Sequence, residues 1–508
     1  MEFKKINTAL ISVYHKEGLS TIIKNLDDLG VTIYSTGGTQ KYIEEQGVQV
    51  RTVEGLTSYP SILDGRVKTL HPKVFGGILA KREDSHLTQL DEYDIPEIDL
   101  IIVDLYPFED TVRNTSSEEE IIEKIDIGGI SLIRAAAKNY RDVLVVASKD
   151  EYALLHKLLQ EKNGASDVQD RQEFARRAFK VSSHYDTAIF DYFNQHSDDL
   201  VYKKSIHQHK VLRYGENPHQ RGVFFGDLEE IFELISGKEL SYNNLVDVDA
   251  AVSLMTEFKQ AEPTFAILKH TNSCGVAIRP TLYEAWQAAL ACDNISAFGG
   301  ILIANRSVDL KTAQAIDQIF YEVLIAPDFQ PDALEILTKK KKRIILRLKK
   351  YPEPGPITKT LLNGVIMQDP DTQVQAAAML KTVTKNEPES TQVDDLLFAA
   401  TCAKHLKSNT IVLSKNRQMI GMGCGQTSRV DALKQAVAKA RQFGFDVQGA
   451  VMASDAFFPF PDCVEIADQA GVTAVIQPGG SIKDQESIDY CDKHGLVMVT
   501  TGVRHFKH

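Results

Sequence analysis

Three stretches near the start of the chain decide its fold class: TALISVY (8–14), GLSTIIKNLDDLG (18–30) and VTIYST (31–36). The first and third are short, rich in β-branched residues and apolar on both faces, which is typical of strands in a parallel sheet covered by helices. The middle stretch has apolar residues at three- and four-residue spacing and closes on Gly30, a suitable residue after a helix C-terminus. The pattern predicts a βαβ unit.

The alternation of strands and helices continues along the first third of the chain. IDLIIVDLYPF (98–108) and VLVVAS (143–148) are predicted strands, and residues 172–195 form a predicted helix that packs on them. We therefore expect an N-terminal α/β domain with a parallel sheet. The polar stretch HSDDLVYKKSIHQH (196–209) interrupts both periodicities, so we place a domain boundary near 197–205.

The remainder of the chain alternates in the same way. TFAILKH (264–270) and ILIAN (301–305) are predicted buried strands, and LYEAWQAALAC (282–292) is a predicted helix between them. A further α/β stretch runs from 410 to the C-terminus and could be a second copy of the same unit, although no residue repetition is visible. The predicted division is 1–198 and 199–508, with subdomains at about 205–385 and 386–508.

Composition excludes several classes of protein. The 508 residues include 57 basic and 69 acidic side chains, a net charge of -12. Because affinity for phosphate backbones rests on clustered positive charge, this argues against a general nucleic-acid binder. No apolar run approaches the roughly 20 residues of a membrane span, and no signal-peptide cleavage pattern follows the first residues. The six cysteines form no CxxC pair, so we expect free thiols in a reducing cytoplasm.

One basic run, KKKKRIILRLKK (339–350), has eight basic residues in twelve. It could be a nuclear signal or a phosphate-binding patch, but in so acidic a chain we favour a solvated helix end that leads into a strand. Other cofactor signatures are missing. The P-loop pattern and the zinc-deaminase pattern are absent, and GMGCGQ (421–426) lacks the third glycine and acidic partner of a dinucleotide site.

Polar clusters follow the predicted strands of the N-terminal domain. STGGT (35–39) offers hydroxyls and unhindered amides where a strand meets a helix, a suitable cradle for phosphate, although a plain glycine turn fits as well. The loop DGRVKTLHPKVFGG (64–77) has too many polar groups for a simple connection and favours a binding role; they are Arg66, Lys68, Thr69, His71 and Lys73.

The segments IDIGG (125–129) and SLIRAAAKN (131–139) place Asp126 and Lys138 at the two ends of a short helix. A cation at a helix C-terminus is favourable in solvent. Taken alone, the position of Lys138 therefore indicates an ordinary solvated lysine.

The C-terminal part has sharper clusters. LRYGENPHQ (212–220) combines basic, aromatic and amide side chains around a turn, and LSYNNLVDVDAA (240–251) presents two asparagines before a helix. KHTNSCG (269–275) ends a buried strand with Lys269 and His270, where α/β sheets bind ligands. The adjacent cation favours a neutral imidazole that can act as a base, and a structural histidine is the alternative.

Together these segments resemble one family, the bifunctional purine-synthesis enzymes that join AICAR transformylase to IMP cyclohydrolase. The matching stretches cover the chain from end to end and in order: ISVYHKEGL, STGGT, LDGRVKTLHPKVFGGIL, DLYPF, IDIGG, LIRAAAKN, LRYGENPHQ, LSYNNL, LKHTNSCGVA, SAFGG, IAPDF, VTK, KSNTIVL, GQTSR, SDAFFPFPD, QPGGS and RHFKH. The chain departs from many relatives at Ser273, where they have proline, and at Cys424, where they have alanine.

The resemblance implies formyl transfer in the C-terminal region, from the co-substrate 10-formyltetrahydrofolate to the 5-amino group of AICAR. That amine is a poor nucleophile because its lone pair is delocalised. The family's motif gives the role of base to His270, with Lys269 beside the developing charge and Asn409 orienting the formyl oxygen. The other matching positions bind nucleotide or line the folate side: Arg213, Tyr214, Gly299, Glu322 (aspartate in some relatives), Arg429, Phe457, Asp462, Ser481, Ile482 and Arg504.

The resemblance implies ring closure of the product FAICAR to IMP, with loss of water, in an N-terminal domain similar to methylglyoxal synthase. Lys138 matches the family's acid–base lysine, and Lys68, Tyr106 and Asp126 match residues of the same site. The positions implied for phosphate and ribose are Tyr14, His15, Lys16, Thr36, Gly37, Gly38, Thr39, Arg66 and Thr69. The C-terminal region resembles two cytidine-deaminase-like αβα units without the zinc.

The resemblance also implies a cytoplasmic homodimer whose small-molecule ligands are AICAR, FAICAR, IMP and folate, with no required metal and no nucleic-acid or membrane partner. Two alternatives stay open. A methylglyoxal-synthase-type lyase would leave the C-terminal region unexplained. A nucleotide-sensing protein that binds without turnover would leave Lys269, His270 and Lys138 without a role.

Overall fold

A computed structural model describes residues 3–197 and 199–508 of the chain. The chain forms two compact units, Met1–Ile206 and His207–His508. The division falls just beyond the region 197–205 where the polar stretch predicts a domain boundary. In the described part of the chain, no helix has the length and apolar character to cross a bilayer.

The first unit alternates strands and helices. Its strands are β1 (Lys4–Lys5), β2 (Thr8–Ser12), β3 (Thr32–Ser35), β4 (Arg51–Thr52), β5 (Leu100–Val103), β6 (Leu144–Val146) and β7 (Ala165–Ser166). Its α-helices are α1 (Leu19–Asp28), α2 (Gly37–Glu45), α3 (Val53–Thr57), α4 (Pro72–Leu79), α5 (Asp84–Glu92), α6 (Phe108–Asn114), α7 (Glu118–Glu123), α8 (Gly128–Lys138), α9 (Tyr152–Glu161) and α10 (Val168–Asn194).

The predicted parallel sheet is confirmed. Five strands lie in the order β4-β3-β2-β5-β6, and every pairing between them is parallel. Successive residues of β2 enter different cores, because Ala9 and Ile11 pack on one face and Leu10 on the other. Both faces of the sheet are therefore covered by helices, as the continuous apolar strands indicate.

The second unit has sixteen strands and eight α-helices among its residues. The strands are β8 (His209–Val211), β9 (Val223–Phe225), β10 (Phe232–Ser236), β11 (Thr264–Lys269), β12 (Asn272–Ile278), β13 (Ile301–Ala304), β14 (Val323–Ala326), β15 (Ile344–Leu348), β16 (Ile357–Leu361), β17 (Gly364–Gln368), β18 (Lys381–Thr382), β19 (Ile411–Ser414), β20 (Met419–Gly423), β21 (Val451–Ser454), β22 (Ala474–Gln477) and β23 (Val497–Thr500). The helices are α11 (Tyr242–Glu257), α12 (Leu282–Cys292), α13 (Leu310–Ile316), α14 (Pro331–Leu337), α15 (Ser390–Lys404), α16 (Arg429–Gln442), α17 (Asp462–Ala470) and α18 (Asp484–His494).

Two six-stranded mixed sheets in this unit have the same topology. Their orders are β10-β15-β14-β13-β11-β12 and β18-β23-β22-β21-β19-β20. In each sheet, three parallel strands are flanked by an antiparallel hairpin on one side and an antiparallel edge strand on the other. Within the second unit, the C-terminal stretch therefore repeats the topology of the α/β stretch before it, although the residues do not repeat.

One core joins the two copies. It includes Val248 of α11 and Leu396 of α15, together with Ile301 and Val451 from the two sheets. Separate clusters cover the outer faces: α12–α14 pack on the first sheet and α16–α18 on the second. The helix α11 packs on the first sheet and α15 on the second, and the apolar surfaces of the two layers meet in this shared core.

The basic run 339–350 begins after the end of α14 and continues through β15, so a helix end leads into a strand as predicted. Two of its cations are held by one carboxylate: Lys340 Nζ lies 3.0 Å from Asp317 Oδ2, and Arg343 Nη1 lies 2.5 Å from Asp317 Oδ1. Arg343 is buried and its guanidinium lies 4.5 Å from the centre of the Tyr321 ring. Part of the run therefore stabilises the fold.

Candidate active sites

A cleft of about 680 Å³ lies in the first unit at the carboxyl ends of β2, β3 and β5. Ligands bind at this edge of a parallel sheet because the loops and helix N-termini converge there. Most residues that the resemblance implies for ring closure line this cleft: Tyr14, Lys16, Thr36, Gly37, Gly38, Thr39, Arg66, Lys68, Thr69, Tyr106 and Asp126.

One end of the cleft suits an anion. The helix α2 begins there with the pair Gly37–Gly38, and its first amides have no intrahelical partner. Lys68 lies against the start of α2, since a Cβ added to Gly37 would be 3.1 Å from Lys68 Nζ. Gly65 makes room for this lysine, because at its φ of +87° an added Cβ would be 2.2 Å from Lys68 Cε.

The other end of the cleft has proton donors and acceptors. Asp126 accepts a 2.6 Å hydrogen bond from the Gly129 amide, and burial raises the pKa of its carboxyl. Burial, reinforced by the nearby Asp126 charge, also raises the pKa of Tyr106. The Tyr106 ring lies 5.5 Å from that of Tyr14, and Lys124 Nζ lies 5.5 Å and 5.6 Å from the two ring centres. The Asp126 carboxyl and the Tyr106 hydroxyl therefore stay protonated to higher pH than they would in water.

Several predicted ligand residues already have protein partners. The Thr39 hydroxyl accepts from the Val13 amide at 3.1 Å and donates to the Val13 carbonyl at 2.9 Å, so it joins α2 to the end of β2. His15 is not among the lining residues, and its Nδ1 lies 2.9 Å from Asp104. Arg66 forms an exposed ion pair with Glu123 at the edge of the cleft. Burial lowers the pKa of Lys16.

The structure does not bring Lys138 to this cleft. Lys138 is exposed at the C-terminal end of α8, whereas the N-terminal residues Gly128 and Gly129 line the site. A rise of 1.5 Å per residue separates the two ends of this helix by about 15 Å. The acid–base role implied for Lys138 therefore has no support from its position, and it stays a prediction.

Sequence reasoning missed Asp104, which also lines the cleft. Its buried carboxylate accepts hydrogen bonds from the backbone amides of Tyr14 and His15, and so fixes the loop after β2. The available signal was its position directly after a predicted strand. A polar residue there is costly to bury unless it is paired.

In the second unit, His270 and Thr271 form the two-residue turn of the hairpin β11–β12. Both have positive φ, 50° and 65°, the conformation of a type I′ turn. Lys269 Nζ donates to the Phe298 carbonyl at 2.9 Å, next to Gly299. Glu322 precedes β14 at the same edge of the sheet, because Ile301 pairs with Val323 and with Leu268.

A second group of predicted residues lies around one edge of the other sheet. Asn409 precedes β19, Phe457 follows β21, Ser481 and Ile482 follow β22, and Arg504 follows β23. Arg429 forms a buried ion pair at 2.9 Å with Asp455, which Ser408 and Thr410 also contact. Asp462 begins α17 and accepts from the Cys463 amide at 2.8 Å.

The loop after β20 connects the two groups. Cys424 Sγ lies 3.5 Å from Asn272 Oδ1 in the first hairpin, and Asn409 Nδ2 donates to the Gln426 carbonyl at 2.9 Å. Arg213 and Tyr214 lie in the connection between β8 and β9, with the guanidinium 5.6 Å from the ring centre. In that same connection, the Glu216 carbonyl accepts from Asn243 of α11 at 3.2 Å.

Two family models match the chain. The model of the MGS-like domain matches residues 18–131, and the model of the AICARFT/IMPCHase bienzyme matches residues 136–439. The second match covers more than half of the chain. The chain belongs to the AICARFT/IMPCHase bienzyme family. As a member of this family it is an AICAR formyltransferase and an IMP cyclohydrolase of purine biosynthesis.

Full-length relatives agree with the AICARFT/IMPCHase assignment. The chain is 58% identical over 508 residues to the bifunctional purine biosynthesis protein PurH of Bacteroides thetaiotaomicron, with 100% of both chains covered. It is 46% identical over 519 residues to PurH of Chlorobium chlorochromatii, with 99% of both covered. The C-terminal region, which the lyase alternative leaves unexplained, is thus part of the family.

Proposed function

We propose that the two reactions of the family take place in separate units, with ring closure in the first and formyl transfer in the second. The observation that carries this proposal is the chemistry of the two sites. The cleft of the first unit has an anion-binding end and a proton-transfer end. The hairpin of the second unit places Lys269 and His270 together at a sheet edge.

Ring closure needs little more than correct placement and movement of protons. The amides at the start of α2 bind the phosphate of FAICAR, which positions the carboxamide nitrogen against the formyl carbon. As that bond forms, Lys68 stabilises the oxyanion on the former formyl oxygen. Asp126 and Tyr106 take a proton from the carboxamide nitrogen and return it to that oxygen, which becomes a hydroxyl. A second proton then passes from the former formamide nitrogen to this hydroxyl, which leaves as water as the carbon–nitrogen double bond forms. The product is IMP.

Formyl transfer needs a base because the AICAR amine is weakly nucleophilic. His270 accepts a proton from the amine as its nitrogen attacks the formyl carbon of 10-formyltetrahydrofolate. Lys269 stabilises the developing charge, and the Asn409 amide orients the formyl oxygen. The carbon–nitrogen bond to the folate then breaks, and the folate nitrogen gains a proton. No metal is required.

The remaining implied contacts belong to the same proposal. Arg213, Tyr214, Gly299, Glu322 and Arg429 would bind the nucleotide, and Phe457, Asp462, Ser481, Ile482 and Arg504 would line the folate side. The likeness of the two repeats to cytidine-deaminase units rests on their αβα layering. All six cysteines are unpaired, which supports a cytoplasmic location. The direct test is to incubate the purified chain with AICAR and 10-formyltetrahydrofolate, and formation of no IMP would contradict the assignment.

We also propose that the protein is a homodimer with its formyl-transfer sites at the interface. The strands β16 and β17 pair only with each other among the described strands and expose Leu362, Ile366 and Met367. A lone two-stranded hairpin is marginally stable in water, and its apolar side chains gain stability when a second surface covers them. The division of the predicted residues between two sheets supports the same view.

Subunit exchange tests the shared site. A mixture of His270→Ala and Arg213→Ala chains is expected to regain formyl-transfer activity, because some mixed dimers have one intact site. Light scattering of the parent protein is expected to show a dimer. A mixture no more active than either variant, together with a monomeric mass, would contradict the proposal.

The domain boundary predicts an active fragment. A chain ending at residue 206 is expected to fold and to convert FAICAR to IMP, because every residue that lines the cleft precedes residue 130 and α10 ends at Asn194. Circular dichroism and the absorbance change of ring closure measure both properties. A folded fragment without activity would show that the second unit takes part in ring closure.

A further inference from the structure

The two repeats of the second unit have matching hairpins at matching places in their sheets. Lys415 and Gln418 pair through their backbones at 3.1 Å and 3.2 Å, just as Lys269 pairs with Asn272. Between them Asn416 and Arg417 have φ of 55° and 52°. The turn His270–Thr271 in the first repeat therefore has a conformational counterpart in Asn416–Arg417.

The two lysines make the same contact. Lys269 Nζ donates to the carbonyl of Phe298 at 2.9 Å, and Lys415 Nζ donates to the carbonyl of Gln448 at 2.6 Å. In both repeats the next residue is a glycine with φ of 75°. The Gly299 amide donates a 2.8 Å hydrogen bond to the Phe320 carbonyl, and the Gly449 amide donates one of the same length to the Gly471 carbonyl. The second repeat thus retains the frame of the site, with Asn416 at the position of His270.

In both repeats the turn is held by an aspartate at the sixth residue of the helix that precedes the hairpin. Asp247 of α11 accepts from the Thr271 amide at 2.8 Å. Asp395 of α15 accepts from the Asn416 amide at 2.8 Å and also from the Arg417 amide. Non-glycine residues at positive φ are strained, so such a turn persists only when its surroundings hold it.

We propose that Asp247 is a positioning residue for formyl transfer, which holds the left-handed turn so that His270 faces the amine of AICAR. This inference rests on the proposed role of His270. The aspartate does not touch the reacting atoms; it acts through the Thr271 amide. Its loss leaves the turn free to relax to ordinary dihedral angles, and the imidazole then leaves the geometry that proton transfer requires.

The test compares equivalent substitutions in the two repeats. Asp247→Ala is expected to lower the kcat of formyl transfer by about 10- to 100-fold with little change in the KM for AICAR. Asp247→Asn keeps an acceptor oxygen and is expected to restore most of that loss. Asp395→Ala removes the equivalent support from the Asn416–Arg417 turn. Because that turn has Asn416 at the position of His270, the variant is expected to leave kcat near the parent value. The unfolding midpoint and the rate of ring closure are measured for every variant.

The outcomes separate this inference from the proposed function. Parent-like kcat in a folded Asp247→Ala chain overturns it, and so does an equal loss in Asp395→Ala, which would indicate general loosening. A failure of Asp247→Asn to recover activity also overturns it, because the amide contact would then be irrelevant. Asp247→Leu replaces the alanine variant if the latter does not fold. The His270→Ala variant tests the proposed function itself, and full activity there would reject that role first.

Discussion

Replacement of His270 with alanine is expected to lower the turnover of formyl transfer by about 10²–10⁴-fold, the usual contribution of a positioned base. The physical reason is the weak nucleophilicity of the AICAR amine, which must lose a proton as it attacks. Ring closure is expected to continue at the parent rate, since its cleft is formed by the first unit. Separate assays with AICAR plus 10-formyltetrahydrofolate and with FAICAR measure the two rates.

The matched control is Asn416→Ala, because Asn416 has the same place and the same positive φ in the second repeat. It is expected to keep formyl-transfer turnover near the parent value. Both variants must retain the parent's unfolding midpoint and bind AICAR. A folded His270→Ala chain that loses both reactions would show that the two sites are coupled or shared.

Replacement of Lys68 with alanine is expected to lower ring closure by about 10²–10³-fold, the typical effect of losing one charge-stabilising group at an oxyanion. Formyl transfer is expected to continue, so FAICAR accumulates when AICAR and the folate are supplied together. Product analysis by liquid chromatography measures the ratio of FAICAR to IMP. The effect has an upper limit because ring closure is intramolecular and proximity alone accelerates it.

Two other lysines serve as comparisons for Lys68. Lys73 belongs to the same polar segment, 64–77, but its Nζ lies 3.4 Å from Asp94 Oδ2. It is not a lining residue of the cleft. Lys138 lies at the far end of α8. Lys73→Ala is expected to keep ring closure near the parent rate, and Lys138→Ala tests a role for which its position gives no support. A loss in Lys138→Ala as large as that in Lys68→Ala would instead support the acid–base role implied by the family resemblance.

Much of the fold could be predicted from local patterns. The predicted helix 282–292 coincides with α12, and the stretches 8–14 and 31–36 contain β2 and β3. These predictions succeed because hydrophobic periodicity, and the residues that end a helix or a strand, act over a few positions. The stretch 98–108 is longer than the strand that it contains, since β5 covers only Leu100–Val103 and Phe108 begins α6. The proline before that helix and the polar residues after the strand end the sheet early.

The motifs alone also indicated where chemistry takes place. The segments at 35–39, 64–77 and 125–129 meet at one cleft although they are far apart in the chain. For 35–39 this could be expected, because it follows a predicted strand and the carboxyl ends of parallel strands share one edge. For 64–77, which follows no predicted strand, only the family resemblance implied a place in the same site. Family membership likewise followed from motifs spread over the whole length of the chain.

The amino-acid sequence by itself thus determined the α/β class, the positions of several helices and strands, the two groups of polar motifs and the family. Only the tertiary structure decided that Lys138 lies outside the cleft, that Asp104 holds the loop after β2 and that Asp247 holds the turn beside His270. The physical reason is that these facts depend on the length of a helix and on hydrogen bonds between distant segments. Such contacts are set by which strands and helices become neighbours, and local periodicity does not encode that order.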